Sequence, residues 1–271
     1  MRATNQGSLA QYVQVSADWI VHRPQNVTPV EASGITLVGY TAYHMIVTDG
    51  KVQPGQRVFV NGGSTSVGAF AIQIAKHIGA HVTASCSSKG EELVRRMGAD
   101  EVNTSSIQSP PSHAWQILDY TKGDLVQLVK EKTSSAGAKF DIIVEAVGLI
   151  DPSLYANSED YLNPNGTFFT VGPQLHGVGD VPNALRTAFS VLRPGFLGGV
   201  KRRFKFVLLL LRRINTDSLC STFLIKNDPE IMEEMRKLVA SGKCFQANFL
   251  FATSHYTRGP QTHRRLCVRV Q

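Results

Sequence analysis

The turn Asn61–Gly68, NGGSTSVG, sits between a short β-branched and aromatic run, RVFV (Arg57–Val60), and a stretch with helical periodicity. In that stretch Val67, Phe70, Ala71, Ile74 and Ile78 share one face, while Gln73, Lys76 and His77 fall on the other. A buried strand that ends in bare backbone and hands over directly to an amphipathic helix leaves few architectures open. The helix must pack back on the sheet that holds the strand, and the small residues leave main chain that a ligand can approach closely.

The rest of the chain extends this unit. HVTASC (His81–Cys86) reads as a second strand, and KGEELVRRM (Lys89–Met97) as a helix with Leu93, Val94 and Met97 inward. FDIIVEAVG (Phe140–Gly148) is a strongly β-branched strand, and NPNGTFFTVG (Asn163–Gly172) is a turn running into another. DPEIMEEMRKLVASGK (Asp228–Lys243) is a helix with an Asp N-cap, Pro at the first helical position and Gly past its end. Strands alternating with helices at this spacing predict an α/β fold with a doubly wound parallel sheet of Rossmann type. Before residue 50 the pattern differs. SLAQYVQV (Ser8–Val15) alternates like a half-exposed strand, and PVEASGITLVGYTAYHMI (Pro29–Ile46) reads as a largely apolar helix.

Composition narrows the function classes. The chain has 271 residues, 42% hydrophobic and 18% charged, as a globular protein has. Its longest aliphatic stretch, Val207–Leu211, is far below the roughly 20 residues of a membrane span, and the first residues lack the apolar core of a signal peptide. Four scattered cysteines, Cys86, Cys220, Cys244 and Cys267, have no zinc-site spacing and suit free thiols in a reducing, cytoplasmic compartment. The net charge of +7 equals the charge of residues 193–213 alone, so the remainder sums to zero. A solvated basic surface accounts for that segment without nucleic acid.

In a doubly wound sheet a ligand lies at the carboxyl ends of the strands, against the N-terminus of the next helix, where unpaired amides and the helix dipole suit a pyrophosphate. Gly62 and Gly63 permit the tight turn, Ser64, Thr65 and Ser66 carry hydroxyl donors, and Gly68 after Val67 lets the helix approach the sheet. The end of the second strand selects among dinucleotides. Cys86-Ser87-Ser88-Lys89 offers hydroxyls and an ammonium where an acidic residue would read an unphosphorylated ribose, which favours NADPH over NADH. Ser87 and Ser88 can equally cap the helix that follows.

GYTAYHMI, followed by VQPGQRVFVNGGSTSVGAFAIQIAKHIGAHVTASCSSKGEELVRRMGADEV, resembles the medium-chain dehydrogenase/reductase superfamily. Within it the match is to the zinc-independent quinone oxidoreductase and enoyl-reductase-like branch. It covers about residues 5–102, resumes at ILDYTKGD (Ile117–Asp124) and continues patchily to about Lys243. The resemblance implies further NADPH contacts. Thr41 would lie near the nicotinamide ribose, Ser87 and Lys89 at the 2′-phosphate, and Tyr120 at the adenine end. Ala146, Val147 and Gly148 after one strand, with Val171 and Gly172 after the next, would line the ribose and nicotinamide. It also implies metal-free hydride transfer to a quinone or an activated C=C of a small-molecule substrate, and a homodimer. It identifies no proton donor; Tyr43 and His44, following Thr41, are weak candidates.

Against the family pattern, residues 1–28 would be a remnant of a GroES-like catalytic domain and 29–243 the dinucleotide-binding domain. Residues 102–116 form an insert that reads as a retained intron, and 208–223 a weaker anomaly of that sort. Residues 244–271 are a basic, aperiodic tail with no acid after Glu234. Two readings therefore stand side by side: an NADPH-dependent oxidoreductase, and a catalytically inactive dinucleotide-binding module.

Overall fold

The computed structural model describes residues 20–99, 124–148, 153–171 and 228–244, together with the backbone of 117–119 and 203–206. The strand of Ser8–Val15, the insert 102–116, the stretch 208–223 and the tail beyond residue 244 lie outside the described residues, as do Tyr120 and Gly172.

A helical front section comes first: α1 (Pro29–Ala32), then α2 (Tyr40–Tyr43) between two π-helical segments, Ile35–Gly39 and His44–Thr48. The single helix expected over 29–46 is thus broken at Ser33–Gly34. The core units follow as β1 (Arg57–Asn61), α3 (Ser66–Ile78), β2 (His81–Cys86), α4 (Glu91–Arg96), β3 (Ile117–Asp119), α5 (Leu125–Ala136) and β4 (Phe140–Glu145). The last are α6 (Ser153–Ala156), β5 (Leu162–Thr170), β6 (Arg203–Phe206) and α7 (Pro229–Ala240). The six strands form one sheet in the order β3-β2-β1-β4-β5-β6, parallel at every pairing. Strand order reverses beside β1, so the carboxyl ends of β1 and β4 flank the crevice that such a sheet opens to ligands.

Alternation along β1 shows how the sheet is covered on both faces. Val58 and Val60 join the cluster formed with α3 and the front helices, while Phe59 joins Phe140, Ile143, Phe168 and α5 residues Val126 and Val129 on the other. α5 is a helix the periodicity reading passes over, because its buried positions are only Val126, Val129 and Thr133. Asp124 caps it by accepting from the Val126 N–H. β4 stops at Glu145, so Ala146–Gly148 form a turn rather than the end of the strand, and Gly148 has φ +76°. The register between β4 and β5 jumps from Phe140↔Leu162 to Ile142↔Thr167, so the Pro164-Asn165-Gly166 turn is looped out within β5. Four residues of the basic stretch, RFKF, make the edge strand β6.

Gln73 is the clearest departure inside a helix that was otherwise expected. It is buried at 4% exposure, with its side-chain amide donating to Ala69 O at 3.1 Å. The physical reason is a second layer. α2 and its π segments pack on the outer side of α3, so that side of the helix is not solvent. α7 covers this layer in turn through Ile231, Met232, Met235 and Val239. Its cap, Asp228, accepts from the Glu230 N–H at 3.0 Å. Asp228→Ala should lower stability by about 1 kcal/mol, read as a lower thermal midpoint with the NADPH titration unchanged.

Candidate functional site

The glycine turn is held by its own main chain. Thr65 is the N-cap of α3: its Oγ accepts from the Gly68 N–H at 3.1 Å and donates to Gly62 O at 2.8 Å, while the Thr65 N–H also reaches Gly62 O. Its hydroxyl was expected as a phosphate donor, but its hydrogen already goes to Gly62 O, so the side chain sets the shape of the turn. Gly62 has φ +81°, and a Cβ there would lie 2.5 Å from Val147 Cγ2. Gly63 has ordinary φ. Its missing Cβ instead makes room for Ala84, Ile72 and Val94, at 3.0 to 3.2 Å. A Cβ on Gly68 would meet Gly62 O at 2.2 Å, so this glycine lets α3 close on the turn itself. Ser64, Ser66 and Val67 are half-buried at the mouth of the helix, where first-turn amides lack intrahelical acceptors.

The second turn lies against the first. β2 ends at Cys86, and a 3₁₀ turn, Ser88–Gly90, follows with the Gly90 N–H on Ser87 O at 2.8 Å. A Cβ on Gly90 would fall 2.8 Å from Ser64 Cβ, so the two turns touch. Ser87 makes no side-chain cap bond, contrary to the capping role open to it, and α4 has Gly90 at its own N-cap. Ser88 and Lys89 are exposed. The third part of the rim is Ala146–Gly148 after β4. The Ala146 N–H donates to Asn61 O at 2.9 Å, tying this turn to β1, and the Val171 N–H donates to Glu145 O at 3.1 Å. Gly62, Gly63, Ser64, Thr65, Ser66, Val67, Gly68, Ser87, Lys89, Ala146, Val147, Gly148 and Val171 therefore gather at or just beyond the carboxyl ends of β1, β2, β4 and β5.

Thr41 is buried in α2 with its hydroxyl donating to Leu37 O at 2.9 Å. Tyr43 packs beside Tyr40, Ile231 and Met232, and burial, then the Glu234 carboxylate, raises the pKa of its hydroxyl. The His44 and Tyr40 rings lie 4.8 Å apart. Among the described residues, no three His, Cys, Asp or Glu side chains converge on a metal position.

Sequence reasoning missed a buried polar row beneath the rim. Strand register sets Ser85 opposite Asn61, Asn61 opposite Glu145, and Glu145 opposite Thr170, all on the sheet face away from α3. Ser85 Oγ donates to Asn61 Oδ1 at 2.5 Å and accepts from the Gly62 N–H at 3.0 Å. Glu145, 4% exposed, accepts through Oε1 from the Val147 and Gly148 N–H groups at 2.8 and 2.9 Å, and through Oε2 from the Thr170 hydroxyl at 2.5 Å. Three of the four close a β-forming run with a polar side chain (RVFVN, FDIIVE, GTFFT), and Ser85 stands one place before the end of HVTASC. That was a signal available in the sequence.

A family model described as zinc-binding dehydrogenase matches residues 66–205, more than half of the chain. The chain belongs to the medium-chain dehydrogenase/reductase superfamily. This medium-chain dehydrogenase/reductase chain is 35% identical over 201 residues to a trans-enoyl reductase, pgmF, of Aspergillus terreus, over 74% of this chain and 50% of the relative. It is 38% identical over 147 residues to the mitochondrial NAD(P)H oxidoreductase RTN4IP1 of Danio rerio, over 53% of this chain and 33% of the relative. The structure of Escherichia coli quinone oxidoreductase complexed with NADPH has the same fold, at TM-score 0.55 and 19% identity over 84% of this chain and 58% of that one. The chain thus spans about half the length of the enoyl reductase it matches. Among the described residues no helix is long and apolar enough to cross a membrane.

Proposed function

We propose that this chain binds NADPH along the carboxyl edge of its sheet and serves hydride transfer to a quinone or an activated C=C substrate. The observation that carries this reading is the contact between the glycine turn and the Ser87–Gly90 turn. It brings bare backbone that would seat a pyrophosphate close to Ser87 and Lys89, whose hydroxyl and ammonium suit a 2′-phosphate. The relatives named as enoyl reductase and NAD(P)H oxidoreductase support the chemistry. When bound, the nicotinamide supplies the hydride; the protein holds it in place, with Thr41 of α2 near the nicotinamide ribose and the β4 turn lining the ribose and nicotinamide. Cytoplasmic residence and a homodimer belong to the same reading.

Titration of the purified chain with NADPH and NADH, followed by nicotinamide fluorescence, tests the cofactor. Saturable binding with NADPH the tighter is expected. Lys89→Ala should weaken NADPH about tenfold, the scale of one charge-assisted hydrogen bond, and leave NADH within about twofold. Equal affinities in the wild type would remove the 2′-phosphate assignment, and no binding would remove the cofactor reading. A turnover screen with quinones and enones follows. Binding without turnover would favour the second reading, a non-catalytic dinucleotide module.

A further inference from the structure

We infer that Glu145 is a positioning residue that locks the nicotinamide end of the site while leaving the adenine end independent. This rests on the NADPH reading above. Its carboxylate is buried, and it accepts hydrogen bonds from groups that shape one corner: the Val147 and Gly148 amides and the Thr170 hydroxyl at the end of β5. A buried donor left without its acceptor is destabilising, so these bonds hold the β4 turn in one conformation. The turn also touches the glycine turn, because Val147 Cγ2 occupies the space beside Gly62 that a Cβ would need. The Ser87–Gly90 turn follows β2, and β1 stands between β2 and β4, so the other end of the site is built on a strand that Glu145 does not adjoin.

The bonding pattern specifies the side chain's shape more than its charge. Both amides converge on Oε1, so a glutamine keeps that acceptor, and its Nε2 can donate to Thr170 Oγ where Oε2 now accepts. Alanine removes the acceptor of all three bonds.

The test compares the affinities of NADPH and adenosine 2′,5′-bisphosphate, a probe of the adenine half alone, for the wild-type chain and for Glu145→Gln, Glu145→Ala and Thr170→Val. Glu145→Gln is expected to bind both probes within about threefold of wild type, while Glu145→Ala loses at least tenfold for NADPH and less than twofold for the bisphosphate. Equal losses for both probes, or no loss for either, would overturn the inference, since a merely structural role moves the two together. If Glu145→Ala does not fold, Thr170→Val decides: a loss confined to NADPH supports the role, and unchanged NADPH affinity overturns it. A wild-type chain that binds the bisphosphate but shows no added affinity for NADPH overturns the inference alone. A wild-type chain that binds neither overturns the cofactor reading from which it starts.

Discussion

Gly68→Ala is expected to destabilise the chain by about 2 kcal/mol and to reduce NADPH affinity more than tenfold, although alanine is ordinarily the better helix residue by 0.5–1 kcal/mol. The sign reverses because the new methyl group would stand 2.2 Å from Gly62 O. That oxygen is main chain, already accepting from the Thr65 N–H and hydroxyl, so it cannot step aside without opening the turn. Overpacking of this kind costs about 1–3 kcal/mol, and the backbone contact puts it at the upper end. Gly50→Ala is a matched control: its Cβ would meet Met45 O at 2.1 Å, at the end of the front helical section and away from the glycine turn. It should cost similar stability, measured by chemical unfolding, with NADPH affinity within about twofold of wild type. Equal loss of binding in both variants would mean that the turn acts only through stability.

Phe59→Ala should cost about 3–5 kcal/mol, a large share of the 5–15 kcal/mol that holds a typical domain together. Phe59 is fully buried in β1, a central strand, with its ring 5.4 Å from that of Phe140 in β4. It faces the α5 layer in one cluster with Val126, Val129, Phe140, Ile143, Tyr161 and Phe168, so truncation opens a cavity in the middle of a packed core. A denaturant midpoint that falls with an unchanged slope is the expected readout. A loss under 1 kcal/mol would mean that this face of the sheet is not packed as described.

The expectations that succeeded rest on short-range physics. The strand, glycine turn and helix of Arg57–Ile78, the strand His81–Cys86 and the capped helix after Asp228 are each legible because periodicity and capping act within about a dozen residues. The same locality explains the misses. The helix expected over Pro29–Ile46 breaks at Ser33–Gly34. Thr65 looks like a phosphate donor until its hydroxyl is seen bonded to Gly62 O three residues back. Ser87 looks like a cap, yet α4 starts after a 3₁₀ turn that ends in Gly90.

Residue types alone therefore specify a parallel sheet with a glycine turn at its carboxyl edge and no acid at the end of β2. Those traits follow from backbone freedom, side-chain period and charge at single positions. Tertiary structure decided which distant residues meet. Gln73 is buried because a second helical layer covers α3, and no pattern within α3 records that layer. Ser85, Asn61, Glu145 and Thr170 form one row only because strand register aligns positions as far apart as Asn61 and Thr170, and a one-residue slip would send each side chain to the opposite face.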